Sequence, residues 1–141
     1  MQLYKPHPYI VLVDDDEDER YIMNHAFSRI GWAEHVKFFG TPEELFQYLK
    51  NLPDTSFPSL IVLDYNMPKI NGMEALSFLK KHDAFRHIPV SVYSTSIPPG
   101  LKDKLFGVGA HSCHEKLFEI AGAIELAGTL KNIAQGIGVA G

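Results

Sequence analysis

The sequence carries a single cysteine, Cys113, so no disulfide can form within the chain, and a reducing compartment suits it. It has no long basic run. With a formal net charge of -4 it lacks the positive field that non-specific nucleic-acid binding relies on. No apolar stretch reaches the roughly 20 residues of a membrane span. The opening Met1-Gln2-Leu3-Tyr4-Lys5-Pro6 lacks the apolar core of a signal peptide. These absences predict a cytoplasmic protein with no direct nucleic-acid partner and no membrane partner. Internal repeats and inter-domain linkers are also missing, and 141 residues suit one domain. Hydrophobic residues make up 45% of the chain, enough for a full core.

What is present is a set of apolar runs that stop at polar residues. Tyr9-Ile10-Val11-Leu12-Val13 stops at Asp14-Asp15-Asp16, Ser59-Leu60-Ile61-Val62-Leu63 at Asp64, and Ile88-Pro89-Val90-Ser91-Val92-Tyr93 at Ser94. Continuous β-branched runs of this length suit strands buried on both faces. His35 to Phe39 is a weaker strand, and Ala110 to Glu115, before Lys116, the weakest. Helices fall between them. Thr41-Pro42-Glu43-Glu44 is a capping box with proline at the first helical position, followed by Leu45, Leu49 and Leu52. Asp16 with Glu19, and Asn71 with Glu74, give weaker starts. Ile97-Pro98-Pro99-Gly100 predicts a delayed, short fourth helix over Leu101 to Phe106. The last helix is expected to begin near Phe118, with Ile120, Ile124, Ala127 and Leu130 on one face. Gly122 and Gly128 each weaken it by about 1 kcal/mol relative to alanine. Residues 1–7 read as an extension, 8–134 as the domain, and 135–141 as a flexible tail.

Alternating strands and helices with right-handed crossovers give an α/β fold, a parallel sheet with helices on both faces. Functional groups in such folds gather beyond the carboxyl ends of the strands. There the chain places Asp14, Asp15, Asp64, Ser94 and Lys116. Crowded carboxylates repel one another unless a cation neutralises them, and an all-oxygen set favours Mg²⁺ over zinc. A carboxylate nucleophile beside a hydroxyl, an ammonium and a hard cation has the parts for accepting a phosphoryl group.

Val11-Leu12-Val13-Asp14-Asp15-Asp16, the stretch from Leu63-Asp64-Tyr65-Asn66-Met67-Pro68 to Gly72-Met73-Glu74, Ser94 and Lys116 together resemble the receiver domain of two-component response regulators. The resemblance runs from about Pro8 to about Ile133. It implies a doubly wound, flavodoxin-like sandwich of five parallel strands in the order 2-1-3-4-5. It also implies roles. Asp64 would be the phosphoacceptor and a metal ligand, Asp15 a direct Mg²⁺ ligand, and Asp14 a ligand mainly through water. Asn66 would offer its backbone carbonyl to the metal. Lys116 and Ser94 would hold phosphoryl oxygens, and Asp16 would only cap a helix. Pro68 and Gly72 would shape the loop, Gly72 through a backbone conformation other residues resist. The donor would be a sensor histidine kinase or histidine phosphotransfer protein. Output would pass to an unknown downstream protein through the fourth helix, fifth strand and fifth helix. A homodimer is compatible with this reading, though nothing in the sequence shows one.

Two positions depart from that family. Cys113 stands where an aromatic switch residue is common, and Leu117 where a cis proline usually follows the lysine. A cis bond before leucine costs about 3 kcal/mol, so a trans bond or a strained loop is expected. These departures sustain a second reading, a receiver-like module that binds partners without phosphorylation. A third, a haloacid-dehalogenase-type phosphohydrolase, needs an acid two residues after its nucleophile, and Asn66 stands there instead. His111, Cys113 and His114 offer a poor zinc set from one strand and are read as packing, with Cys113 buried. Trp32 is read as packing too, and Leu52 to Pro58 as a loose loop.

Overall fold

The apolar runs form five parallel strands in the computed structural model, which describes residues 7–117 and 119–137. They are β1 (Ile10–Val13), β2 (Val36–Phe39), β3 (Leu60–Asp64), β4 (Val90–Ser94) and β5 (Ser112–Glu115), ordered β2-β1-β3-β4-β5. Every residue of β1, β3 and β4 is buried, as their unbroken apolar character requires of central strands. The edge strands β2 and β5 are only partly buried and carry the polar residues.

Alternation along the strands divides the core in two. Val11, Val13, Ile61, Leu63, Val90 and Val92 face α2 (Pro42–Lys50), α3 (Gly72–Lys81) and α4 (Pro99–Val108), through Leu45, Leu76, Leu79 and Leu105. Ile10, Leu12, Leu60, Val62 and Tyr93 face α1 (Glu17–Arg29) and α5 (Ile120–Ala134). The expected three-layer fold and strand order are therefore present.

Both α2 and α3 begin with complete capping boxes, Thr41 with Glu44 and Asn71 with Glu74. At α1, Asp16 caps the N–H groups of Asp18 and Glu19, but Glu19 does not close a box, because its side chain is used elsewhere. Trp32 is buried after α1 and stacks on His35.

Several expectations need correction. The fourth helix spans ten residues rather than six, since Pro99 and Gly100 enter its first turn and Gly107 lies within it. It closes at Gly109, whose φ of 122° suits glycine. The buried stripe of α5 is Ala123, Leu126, Ala127, Leu130 and Ala134, while Ile120 is exposed. Ile124 packs at the edge of this stripe and is only half-buried. Phe118, the expected start, lies outside the described residues, and α5 is described from Ile120. The loop after α2 is anchored. Phe57 is buried edge-to-face against Phe85, and the carbonyl of Ser56 accepts the Tyr9 hydroxyl at 2.6 Å. Cys113 is half-buried rather than buried. Of the extension, residues 1–6 lie outside the described residues, as do residues 138–141 of the tail.

Candidate functional site

The parallel register levels the strand ends. Val13 pairs with Leu63, Leu63 with Val92, and Val92 with Cys113. Asp14 therefore emerges beside Asp64, the last residue of β3, and Ser94, the last of β4. Lys116 follows β5 immediately. All six residues singled out from the sequence, Asp14, Asp15, Asp64, Asn66, Ser94 and Lys116, lie at this one rim.

Lys116 is the centre of the arrangement. Its Nζ donates to Asp64 Oδ1 at 2.8 Å and to Glu19 Oε1 at 2.7 Å, and lies 3.3 Å from Asp14 Oδ2. The ammonium also sits 4.6 Å from the centre of the Tyr93 ring, a favourable cation–π placement. Asp14 is fully buried and heavily engaged. Its Oδ1 accepts the Asp16 N–H at 2.9 Å, and its Oδ2 accepts the Tyr93 hydroxyl. Its backbone carbonyl accepts Arg20 Nη1 at 2.6 Å. The Asn66 N–H donates to Asp64 Oδ1 at 3.2 Å, and its side-chain amide reaches Ser94 Oγ at 3.4 Å. Asp15 is exposed, at the open side of the cluster.

Three carboxylates, those of Asp14, Glu19 and Asp64, surround one ammonium, with Asp15 close to two of them, and the electrostatics follow from that excess. Burial pushes Asp64 up; Lys116 and the Asn66 N–H pull it down, Asp14 adds to the rise, and the net position is about 7. Burial likewise raises Glu19. For Lys116 burial acts downward, but its bonds to Asp64 and Glu19 and the charge of Asp14 outweigh it and hold the ammonium above its ordinary value.

Local structure explains how these side chains are placed. A Cβ on Gly72 would stand 2.7 Å from Tyr65 Cα and 2.8 Å from the Asp64 carbonyl oxygen. Glycine is required there by close approach to the site loop. The expected reason, an unusual backbone angle, applies instead to Lys69, whose φ is 67°. No cis peptide occurs among the described residues, so Lys116–Leu117 is trans. Leu117 instead lies across α5, where a Cβ on Gly122 would come within 2.6 Å of the leucine Cβ. The glycine that weakens α5 is thus the seat for the residue after the lysine.

Two contacts escaped the sequence reading. Glu19 was taken only as a capping residue, yet it lies four residues before Met23 and seven before Ala26, both buried in α1. An acid on the inward stripe of an amphipathic helix was the available signal. Tyr93 was read as a strand residue, and its alternation with Val92 already set its face. Nothing in the sequence indicated which carboxylate its hydroxyl would meet.

Oxygen atoms of Asp14, Asp15 and Asp64 lie within 4.8 Å of one another, the only such cluster of acids, histidines or cysteines among the described residues. An all-oxygen set with excess negative charge fits a hard divalent cation such as Mg²⁺. His111, Cys113 and His114 form no such group; His114 Nε2 instead pairs with Ser112 Oγ at 2.8 Å.

The model of the response regulator receiver domain matches residues 10–126. Among curated proteins, two-component response regulator ORR13 of Oryza sativa subsp. japonica is 30% identical over 114 residues, 81% of this chain and 90% of that protein. The probable methanogenesis regulatory protein FilR2 of Methanothrix harundinacea is 32% identical over 92 residues, which are 63% of this chain and 59% of FilR2. Among solved structures, the phosphorylated cyanobacterial phytochrome response regulator RcpA superposes with a TM-score of 0.80 at 24% identity, covering 94% of this chain and 97% of that one. With the match spanning most of the sequence and the fold agreeing, the chain belongs to the response regulator receiver domain family.

Proposed function

We propose that residues 8–134 form a receiver that accepts a phosphoryl group on Asp64 from the phosphohistidine of a sensor kinase or histidine phosphotransfer protein, in the cytoplasm. The observation that carries this reading is the buried Asp64 carboxylate at the strand rim, 2.8 Å from Lys116 and clustered with Asp14 and Asp15. With Oδ1 engaged by Lys116 and Asn66, Oδ2 is assigned as the attacking oxygen. A phosphorus–oxygen bond forms as the phosphorus–nitrogen bond breaks, and the departing imidazole keeps the electron pair and takes a proton. Lys116 donates to one phosphoryl oxygen and the Ser94 hydroxyl to another, countering the charge spread over the transferring group. Asp15, Asp64 and the Asn66 carbonyl would hold Mg²⁺ directly, with Asp14 acting through water because its own oxygens are already bonded. The cation, when bound, would supply further charge neutralisation at that rim.

The likeness to ORR13, a two-component response regulator, and to the phosphorylated response regulator RcpA supports this reading. The Asn66 amide is no acid that could protonate a leaving group, and it contacts Ser94, which disfavours a phosphohydrolase. Output would pass through a changed surface around α4, β5 and α5 to a separate protein. Incubation with acetyl phosphate, with and without Mg²⁺, followed by intact mass measurement tests the proposal. One phosphoryl increment, dependent on both Mg²⁺ and Asp64, is the expected result. Its absence from folded protein overturns the reading, and partner binding that survives Asp64→Asn would favour the phosphorylation-independent module.

A further inference from the structure

Glu17 and Asp18 in the first turn of α1 are exposed, as acids at a helix N-terminus usually are. Glu19 differs. Its carboxylate meets Lys116, 97 residues away in sequence, at 2.7 Å, and only 21% of its side chain is exposed. It stands outside the oxygen cluster of Asp14, Asp15 and Asp64, so its charge is directed at the lysine. An ammonium has three N–H bonds. Here they face Glu19, Asp64 and Asp14, with the Tyr93 ring beside them. A phosphoryl oxygen entering at Asp64 must take one of those directions while Glu19 keeps another.

We propose that Glu19 is a positioning residue that holds the Lys116 ammonium from the α1 side and competes for its charge with the phosphoryl group. The proposal rests on the reading of Asp64 as phosphoacceptor. Its two halves separate by substitution. Glu19→Gln keeps an acceptor for Lys116 and removes the negative charge. Glu19→Ala removes the acceptor, and the lysine is then held from the strand side alone.

The test measures initial rates of phosphoryl incorporation against acetyl phosphate concentration at saturating Mg²⁺ and fixed pH. The protein is labelled with ¹⁵N-lysine so that the Lys116 Nζ resonance can be followed by NMR. With one charge removed near an anionic donor, Glu19→Gln should lower the apparent KM about three- to tenfold and leave the maximal rate nearly unchanged. Loss of the holding contact in Glu19→Ala should reduce the maximal rate about tenfold and broaden the Nζ resonance, which Glu19→Gln retains. Equal kinetics in all three proteins overturn the proposal, as does a Gln variant that loses as much rate as the Ala variant. If wild-type protein gains no phosphoryl mass, the phosphoacceptor reading itself falls. The Nζ resonance then decides separately whether Glu19 holds the lysine: an unbroadened signal in Glu19→Ala refutes the contact, and broadening supports it.

Discussion

Two lysines at least partly buried mark opposite ends of the sheet, and their partners differ in kind. Near the amino ends of the strands, Lys80 donates to the backbone carbonyls of Ile88 at 2.7 Å and Arg86 at 3.1 Å. Its partners are neutral, and burial lowers its pKa. At the carboxyl ends, Lys116 meets three carboxylates and is held above its ordinary value. Lys80 closes a loop by satisfying carbonyls that no strand or helix uses. Lys116 balances charge that the fold would otherwise leave in excess. The same side chain is thus a local fastener at one end and the counter-ion of an acidic cluster at the other.

The sharpest way to break this contrast is through the acid rather than the base. Asp64→Asn should abolish phosphoryl uptake completely in the intact-mass assay, and no change near Lys80 should do so. The next largest effect comes from Lys116→Met, which leaves buried carboxylates without their counter-ion. In metal-free buffer near neutral pH it should cost about 3 kcal/mol in urea unfolding, with much of that regained on adding Mg²⁺ or on acidification.

An effect of comparable size comes from pH. Asp64 ionises at about 7 in the folded chain against 3.8 in the unfolded one. Between those values the folded chain binds the extra proton, so this group's contribution to stability falls as pH rises and the loss is complete above about 7. Asp64→Asn should therefore be more stable than wild type at pH 8 without metal. The gap should shrink steadily towards pH 5, as read by paired denaturation curves. The smallest effect belongs to Lys80→Met, about 1 kcal/mol with no dependence on Mg²⁺, because water can reach the partly exposed carbonyls. A Mg²⁺-sensitive loss at Lys80 would dissolve the distinction between the two ends.

The central strands and the rim were legible in the sequence because a buried parallel strand leaves one mark, an unbroken apolar run ending in a polar residue. Asp14, Asp64 and Ser94 each followed such a run, and the capping boxes at Thr41 and Asn71 were local signals that the structure completes. What could not be read depended on distant contacts. Glu19 is informative only once β5 delivers Lys116 to it, and Gly122 only once Leu117 lies against it. Pro99 and Gly100 were misread for the opposite reason. Residues that usually break a helix are tolerated in a first turn, where the N–H groups have no helical partner.

The bond between Glu19 and Lys116 has a consequence for how the molecule comes into being. It joins the first helix to the end of the last strand across 97 residues, among the costliest loops in the chain to close. During synthesis, every acid of the cluster leaves the ribosome before the lysine does, so the nascent chain carries uncompensated charge until β5 docks. The site is completed only once β5 is in place, and a chain interrupted before Lys116 would hold the acids without their ammonium. The balance of charge at this rim is thereby tied to the synthesis and docking of β5.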